Sequence, residues 1–233
     1  MAAPAPAPLA PAEVELSAAD GSAIFGTLYA VERDKPGPVV LLFHQAGSNA
    51  AEYNAIAPRL QSLGFDALAI DQRSGGRRFG RDNRTVAKRG KSTGFKAAYA
   101  DLEAALAWAT ERGHPTILAW GSSYTAALVF RLAAEHGDSL TAVLSFSPGE
   151  YLGREGMVAE WARDTDLPFF ITSNRGKEAT AAQALADELP RPATVHVPAR
   201  AVHGSSMLRP DRNSAGNAAI WTEVERFLKR VVG

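Results

Sequence analysis

The chain contains no cysteine. That excludes disulfides, thiolate metal sites and a cysteine nucleophile together. It carries no net charge, because 25 Lys and Arg balance 25 Asp and Glu, so the global field gives no case for nucleic-acid binding. It also lacks any long apolar run. The longest, such as 38–43, have the length of a strand, far short of the ~20 residues of a transmembrane helix. No internal repeat appears, and no change in composition marks a second domain. What remains is 233 residues, 46% apolar and 21% charged. That is an ordinary globular composition, and a chain of this length buries roughly 70% of its unfolded surface without staples.

The first twelve residues form an Ala/Pro tract with neither a basic n-region nor an apolar h-region. They are not an intact signal peptide and are expected to be a flexible tail, 1–12, ahead of a folded domain, 13–233. Such a tail suits an exported chain already relieved of its signal peptide as well as a cytoplasmic one. Residues 14–17 and 24–31 then read as a leading pair of strands about an Asp20-Gly21 turn. After them, strand-length apolar runs at 39–43, 67–70, 116–120, 142–146, 168–172 and 193–197 alternate with helical patterns at 50–63, 95–110, 124–135, 158–164, 179–189 and 217–232. Fully apolar strands separated by helices imply a mostly parallel sheet, here of about eight strands, covered on both faces. The expected class is therefore α/β. The stretch 148–167 is too short for a large inserted cap.

One strand-to-helix junction carries a chemical signal. The run Trp120-Gly121-Ser122-Ser123-Tyr124-Thr125-Ala126 sits where a nucleophile elbow would sit, with small residues wanted two places either side of the nucleophile. Gly121 meets that need for Ser123, whereas Ser122 would be flanked by Trp120 and Tyr124. Thr125 stands where glycine is usual. An N-cap serine before an ordinary helix would also present these residues. His203, in Ala201-Val202-His203-Gly204-Ser205 beyond the last strand, is placed as the base in a chain ordered serine, acid, histidine. After the first of the parallel strands comes His44-Gln45-Ala46-Gly47-Ser48-Asn49. Such a loop can aim the Ala46 amide at the point reached by the Tyr124 amide, and the two together would make an oxyanion hole.

With three motifs in order on the right elements, residues 13–233 resemble an α/β-hydrolase, nearest to the small cap-less dienelactone-hydrolase-like esterases. Three features depart from that family. Its oxyanion loop is His-Gly-X-X-Gly, and here Gln45 follows His44. Its elbow ends in glycine, and here Thr125 does. Dienelactone hydrolases proper use a cysteine, and here Ser123 stands in its place. The stretch Asp71-Gln72-Arg73-Ser74-Gly75 resembles the family's Asp-X-Arg-Gly segment. The family also places an aspartate a few residues past the strand at 168–172, where this chain has Lys177 and Glu178. Glu178 is the first candidate for the acid that orients His203, and Glu150, after the preceding strand, is the alternative.

The resemblance implies a serine hydrolase of small, short-chain carboxylic esters, needing neither metal nor organic cofactor. Its partner would be a small-molecule ester. Arg73, Arg77, Arg78, Arg81, Arg84, Lys88, Arg89, Lys91 and Lys96 crowd the stretch 72–97 against the single acid Asp82, so an anionic ester is one option and a solvated, internally paired loop the other. Gln45, Thr125 and the missing aspartate leave a second function open, a non-catalytic scaffold of the same fold acting as a binding protein.

Overall fold

A computed structural model describes residues 7–232. Its centre is one eight-stranded sheet: β1 (Ala12–Ser17), β2 (Ala23–Tyr29), β3 (Val39–Phe43), β4 (Asp66–Ile70), β5 (Ile117–Ser122), β6 (Ala142–Phe146), β7 (Phe169–Thr172) and β8 (Thr194–His196). The strand order is β1-β2-β4-β3-β5-β6-β7-β8. β1 and β2 pair antiparallel, as do β2 and β4. From β4 through β3 to β8 every pairing is parallel. This is the expected doubly covered sheet, and every residue of β3, β4, β5 and β6 is buried.

Period-two alternation sends successive side chains into two separate cores. From β3, Val39, Leu41 and Phe43 enter one core and Val40 and Leu42 the other. The first core is closed by α3 (Tyr99–Glu111), α4 (Tyr124–His136), α5 (Met157–Arg163) and α6 (Lys177–Asp187). The second is closed by α1 (Ala57–Ser62) and α7 (Asn217–Val232). α7 buries Ile220, Trp221, Val224, Phe227 and Leu228, the i, i+4, i+7, i+8 stripe of an amphipathic helix. Among the described residues no helix is long and apolar enough to cross a membrane.

Four expectations change in detail. The helix expected over 50–63 is a 3₁₀ turn (Ala50–Tyr53) followed by α1. Pro58 lies in the first turn of α1, where a missing N–H is tolerated, but it could not continue a helix arriving from residue 50. The pattern over 95–110 likewise divides into a 3₁₀ turn (Phe95–Ala98) and α3. The basic stretch 72–97 holds a helix of its own, α2 (Arg84–Arg89). The Asn83 side chain caps it by accepting the Val86 N–H at 2.8 Å, and Gly90 closes it at φ 78°. Finally, residues 7–12 lie along the domain, within the expected tail. The Leu9 N–H donates to Ala30 O at 2.9 Å and the Glu32 N–H to Ala7 O at 2.8 Å, and β1 already begins at Ala12. The rest of the expected tail, 1–6, lies outside the described residues.

Candidate active site

The carboxyl ends of β3, β5, β6 and β7 and the loop after β8 converge on Ser123. β5 ends at Ser122, and α4 begins at Tyr124. Ser123 is left to make the turn at φ 63°, ψ −119°. A side chain seldom adopts this conformation, and such strain persists only where surrounding structure enforces it. Part of that enforcement is the Ser123 N–H, which donates to Phe146 O at the end of β6 at 2.8 Å. Gly121 is needed because a Cβ there would overlap the Thr125 carbonyl and the Ala126 Cα.

The threonine at the position usual for glycine has its own role. Thr125 Oγ1 accepts the Ser122 N–H at 2.8 Å and donates to Phe43 O on β3 at 2.8 Å. The hydroxyl therefore pins the elbow to the neighbouring strand.

Ser123 is 8% exposed, and its Oγ lies 2.7 Å from His203 Nε2. His203 Nδ1 lies 3.0 Å from Glu178 Oε1. With the imidazole proton on the Glu178 side, Nε2 is free to accept from the serine hydroxyl. Glu178 reaches the histidine from the first turn of α6, and its other oxygen accepts the Asn174 N–H at 3.3 Å. Of the two candidate acids, then, the structure brings Glu178 to His203. Glu150 is turned elsewhere. Its carboxylate accepts the N–H groups of Val158 (3.0 and 3.1 Å) and Ala159 (3.1 Å) and so caps α5, where a negative charge is favoured by the helix dipole.

The loop after β3 lies beside the elbow. His44 is fully buried. Its Nδ1 donates to Gln45 O at 2.8 Å, and its Nε2 accepts the Gln72 N–H at 3.0 Å. Burial pushes the imidazole pKa down to about 4, so the ring is neutral at ordinary pH. Because a trans peptide is planar, holding the Gln45 carbonyl also aims the Ala46 N–H, which donates to nothing among the described residues. Tyr124 is the first residue of α4, so its N–H has no acceptor within the helix. Two aromatic rings stand exposed nearby. Phe95 stacks on Tyr124, centroids 4.4 Å apart, and Tyr151 donates its hydroxyl to Ser147 O at 3.1 Å.

The model of the serine aminopeptidase S33 family of hydrolases matches residues 34–167. The chain belongs to that α/β-hydrolase family. No curated protein sequence matches it. Among solved structures, this hydrolase is similar to a dienelactone hydrolase from Anabaena variabilis, at 18% identity over 96% of this chain and 99% of that one, TM-score 0.72. It is similar to a thermostable carboxyl esterase from Bacillus coagulans, at 14% identity over 97% and 100%, TM-score 0.72. An esterase from Pyrococcus furiosus matches at 18% identity over 96% and 92%, TM-score 0.72. At such identities these likenesses establish the hydrolase fold and no more.

Four of the nine cations in the basic stretch are paired with acids of the protein. Arg73 bonds the buried Asp101 at 2.7 Å and Asp20 at 2.5 Å. Arg81 and Arg84 share the buried Asp71, at 2.5 and 3.3 Å, and Arg84 also reaches Glu13 at 2.5 Å. Arg77 pairs with Asp82 at 3.4 Å, and Arg89 donates to Ser22 at 2.7 Å. Arg78, Lys88, Lys91 and Lys96 form no salt bridge among the described residues.

Two polar groups at this site have no signal in the sequence, Glu52 and the Ser122 hydroxyl. Glu52 looks from the sequence like a first-turn helix acid facing solvent, following Asn49 at capping distance. In the fold it is fully buried.

Proposed function

We propose that the chain is a serine hydrolase cleaving small, short-chain carboxylic esters through an acyl-enzyme. The observation that carries this reading is the continuous hydrogen-bonded chain Ser123–His203–Glu178, with Ser123 at the apex of a strained elbow. His203 Nε2 takes the Ser123 proton as Oγ attacks the ester carbonyl. Glu178 holds the imidazole in the productive tautomer and stabilises the imidazolium. The tetrahedral oxyanion lies against the N–H groups of Ala46 and Tyr124, at the positive end of α4. His203 then gives the proton to the departing alcohol. A water attacks the acyl-enzyme by the same route and returns free acid and Ser123.

The reading of an inert scaffold loses its support. Each departure that suggested it has a place in the site: Thr125 pins the elbow, Gln45 binds a buried carboxylate, and Glu178, one residue past the usual place of the aspartate, reaches His203. The exposed Phe95 and Tyr151 suit an uncharged, apolar ester. Four of the arginines are already paired with acids of the protein, which among the described residues leaves Arg78, Arg89 and three lysines as the free cationic surface of the basic stretch.

The test is a fluorophosphonate probe, read by intact mass and peptide mapping. One probe per chain on Ser123, abolished by His203→Ala, is the expected result. An unlabelled folded protein refutes the reading. Among the acids, Glu178→Gln is expected to lower kcat by up to about 10⁴, the scale of a lost triad carboxylate. Glu150→Gln should leave kcat within about twofold, because it removes no group from the imidazole.

A further inference from the structure

Glu52 is a fully buried carboxylate with no cation in hydrogen-bond contact. Burial holds its pKa above the ordinary carboxylate range even against the donors that lower it, and an isolated buried charge is expensive. Three donors surround it. Its Oε2 accepts the Gln45 N–H at 2.9 Å. Its Oε1 accepts Gln45 Nε2 at 3.0 Å and the Ser122 hydroxyl at 2.8 Å. Ser122 Oγ in turn accepts the Ser205 N–H at 2.9 Å, and Gln45 Nε2 also donates to Ser206 Oγ at 3.1 Å. Only a carboxylate presents two acceptor oxygens and no donor; a carboxamide would turn an NH₂ toward one of these donors.

The three groups served are not arbitrary. Gln45 precedes Ala46, Ser122 precedes Ser123, and Ser205 and Ser206 follow His203. We propose that Glu52 is the positioning residue of the site: one buried carboxylate ties the oxyanion loop to the nucleophile elbow and, through Ser122 and Gln45, to the histidine loop. Gln45 is then gripped at both ends of its backbone, its N–H by Glu52 and its carbonyl by His44. Those two grips set the direction of the Ala46 N–H. The inference rests on the nucleophile and oxyanion assignments proposed above. It adds that the alignment of the hole with Ser123 depends on a residue that touches neither substrate nor reacting atoms.

The experiment compares wild type, Glu52→Gln and Gln45→Met. It measures melting temperature, fluorophosphonate labelling rate, kcat and KM for p-nitrophenyl acetate, and Ki for a trifluoromethyl ketone, which binds as a tetrahedral oxyanion. A lost oxyanion donor lowers kcat by about 10²–10³, so a misaimed one should lower it by about 10- to 100-fold. Glu52→Gln is expected to do so with KM within about twofold, and Ki for the ketone should rise by the same factor as kcat/KM falls. Gln45→Met keeps the backbone bond to Glu52 and should show the same pattern at several-fold. If Glu52→Gln does not fold, Gln45→Met decides. Wild-type kcat/KM in a folded variant, or a loss confined to KM with ketone affinity unchanged, overturns the inference. Wild type that labels, with Glu52→Gln labelling equally fast, refutes the inference alone. Wild type that does not label refutes the nucleophile assignment and the inference with it.

Discussion

At the scale of single residues, the site is governed by which polar groups are buried and what meets them. His44 and His203 differ in this way. His203 is 38% exposed on its side chain and faces one carboxylate. His44 is enclosed, and its two nitrogens meet one backbone acceptor and one backbone donor. An imidazolium at position 44 would set its Nε2–H against the Gln72 N–H. The consequence is a pH dependence of stability. The folded pKa of about 4 lies below the free value of 6.5, so between them the unfolded chain binds the extra proton. Stability is then complete above about pH 6.5 and falls as the pH drops towards 4. The loss is about 3 kcal/mol at 1.36 kcal/mol per unit. Urea titrations between pH 7 and pH 4 are expected to show a steeper acid loss in wild type than in His44→Asn, which cannot take up the proton. Parallel slopes would show that His44 carries no such linkage.

At the scale of elements, the turn from β5 to α4 is held from three sides. Gly121 admits the close approach of α4, the Ser123 N–H reaches β6, and Thr125 reaches β3. Thr125→Val keeps the volume of the side chain and removes its hydroxyl. The Ser122 N–H is then left without its partner in a buried site, whereas Phe43 C=O keeps the Tyr53 hydroxyl at 2.6 Å. A buried group without its partner costs about 1–3 kcal/mol. The expected result is a lower urea midpoint at unchanged slope, with Thr125→Gly lower still, by a few tenths of a kcal/mol for glycine against valine in a helix and by the loss of the buried side chain. A midpoint equal to wild type would mean that the threonine stands in for glycine passively.

At the scale of the whole molecule, charge balance is reproduced locally. The densest cluster of cations meets acids from other parts of the chain: Asp20 from the β1–β2 turn, Glu13 from β1, Asp71 after β4 and Asp101 from α3. The cluster thereby binds the antiparallel edge of the sheet to its parallel part. With zero net charge and most of these arginines paired, long-range steering of substrate should be weak. Raising ionic strength from about 0.05 to about 0.5 M, which shortens the screening length from more than ~10 Å to a few Å, is expected to change kcat/KM by less than about twofold. That should hold for p-nitrophenyl acetate and for an ester bearing a carboxylate alike. A tenfold fall for the anionic ester alone would restore the basic stretch as a recruiting surface.

What the sequence determines by itself is what repeats locally. Val39–Phe43, Ala142–Phe146 and Asn217–Val232 have the expected bounds because period and length are properties of consecutive residues. Ser123 and His203 are visible for a related reason, since an elbow needs Gly121 two places away and the final loop follows a recognisable strand. The breaks within 50–63 and 95–110 and the helix hidden at Arg84–Arg89 were harder to see. Pro58, Asn83 and Gly90 mark two of them, but a dense run of cations resembles a loop until acids from elsewhere neutralise it. Only the tertiary structure brings Glu178, and not Glu150, to His203, because either carboxylate can follow a strand and distance separates them. Only it placed Glu52 beneath three loops. Burial, and a hydrogen-bond partner 70 residues away, arise when the chain closes on itself, and no local pattern encodes them.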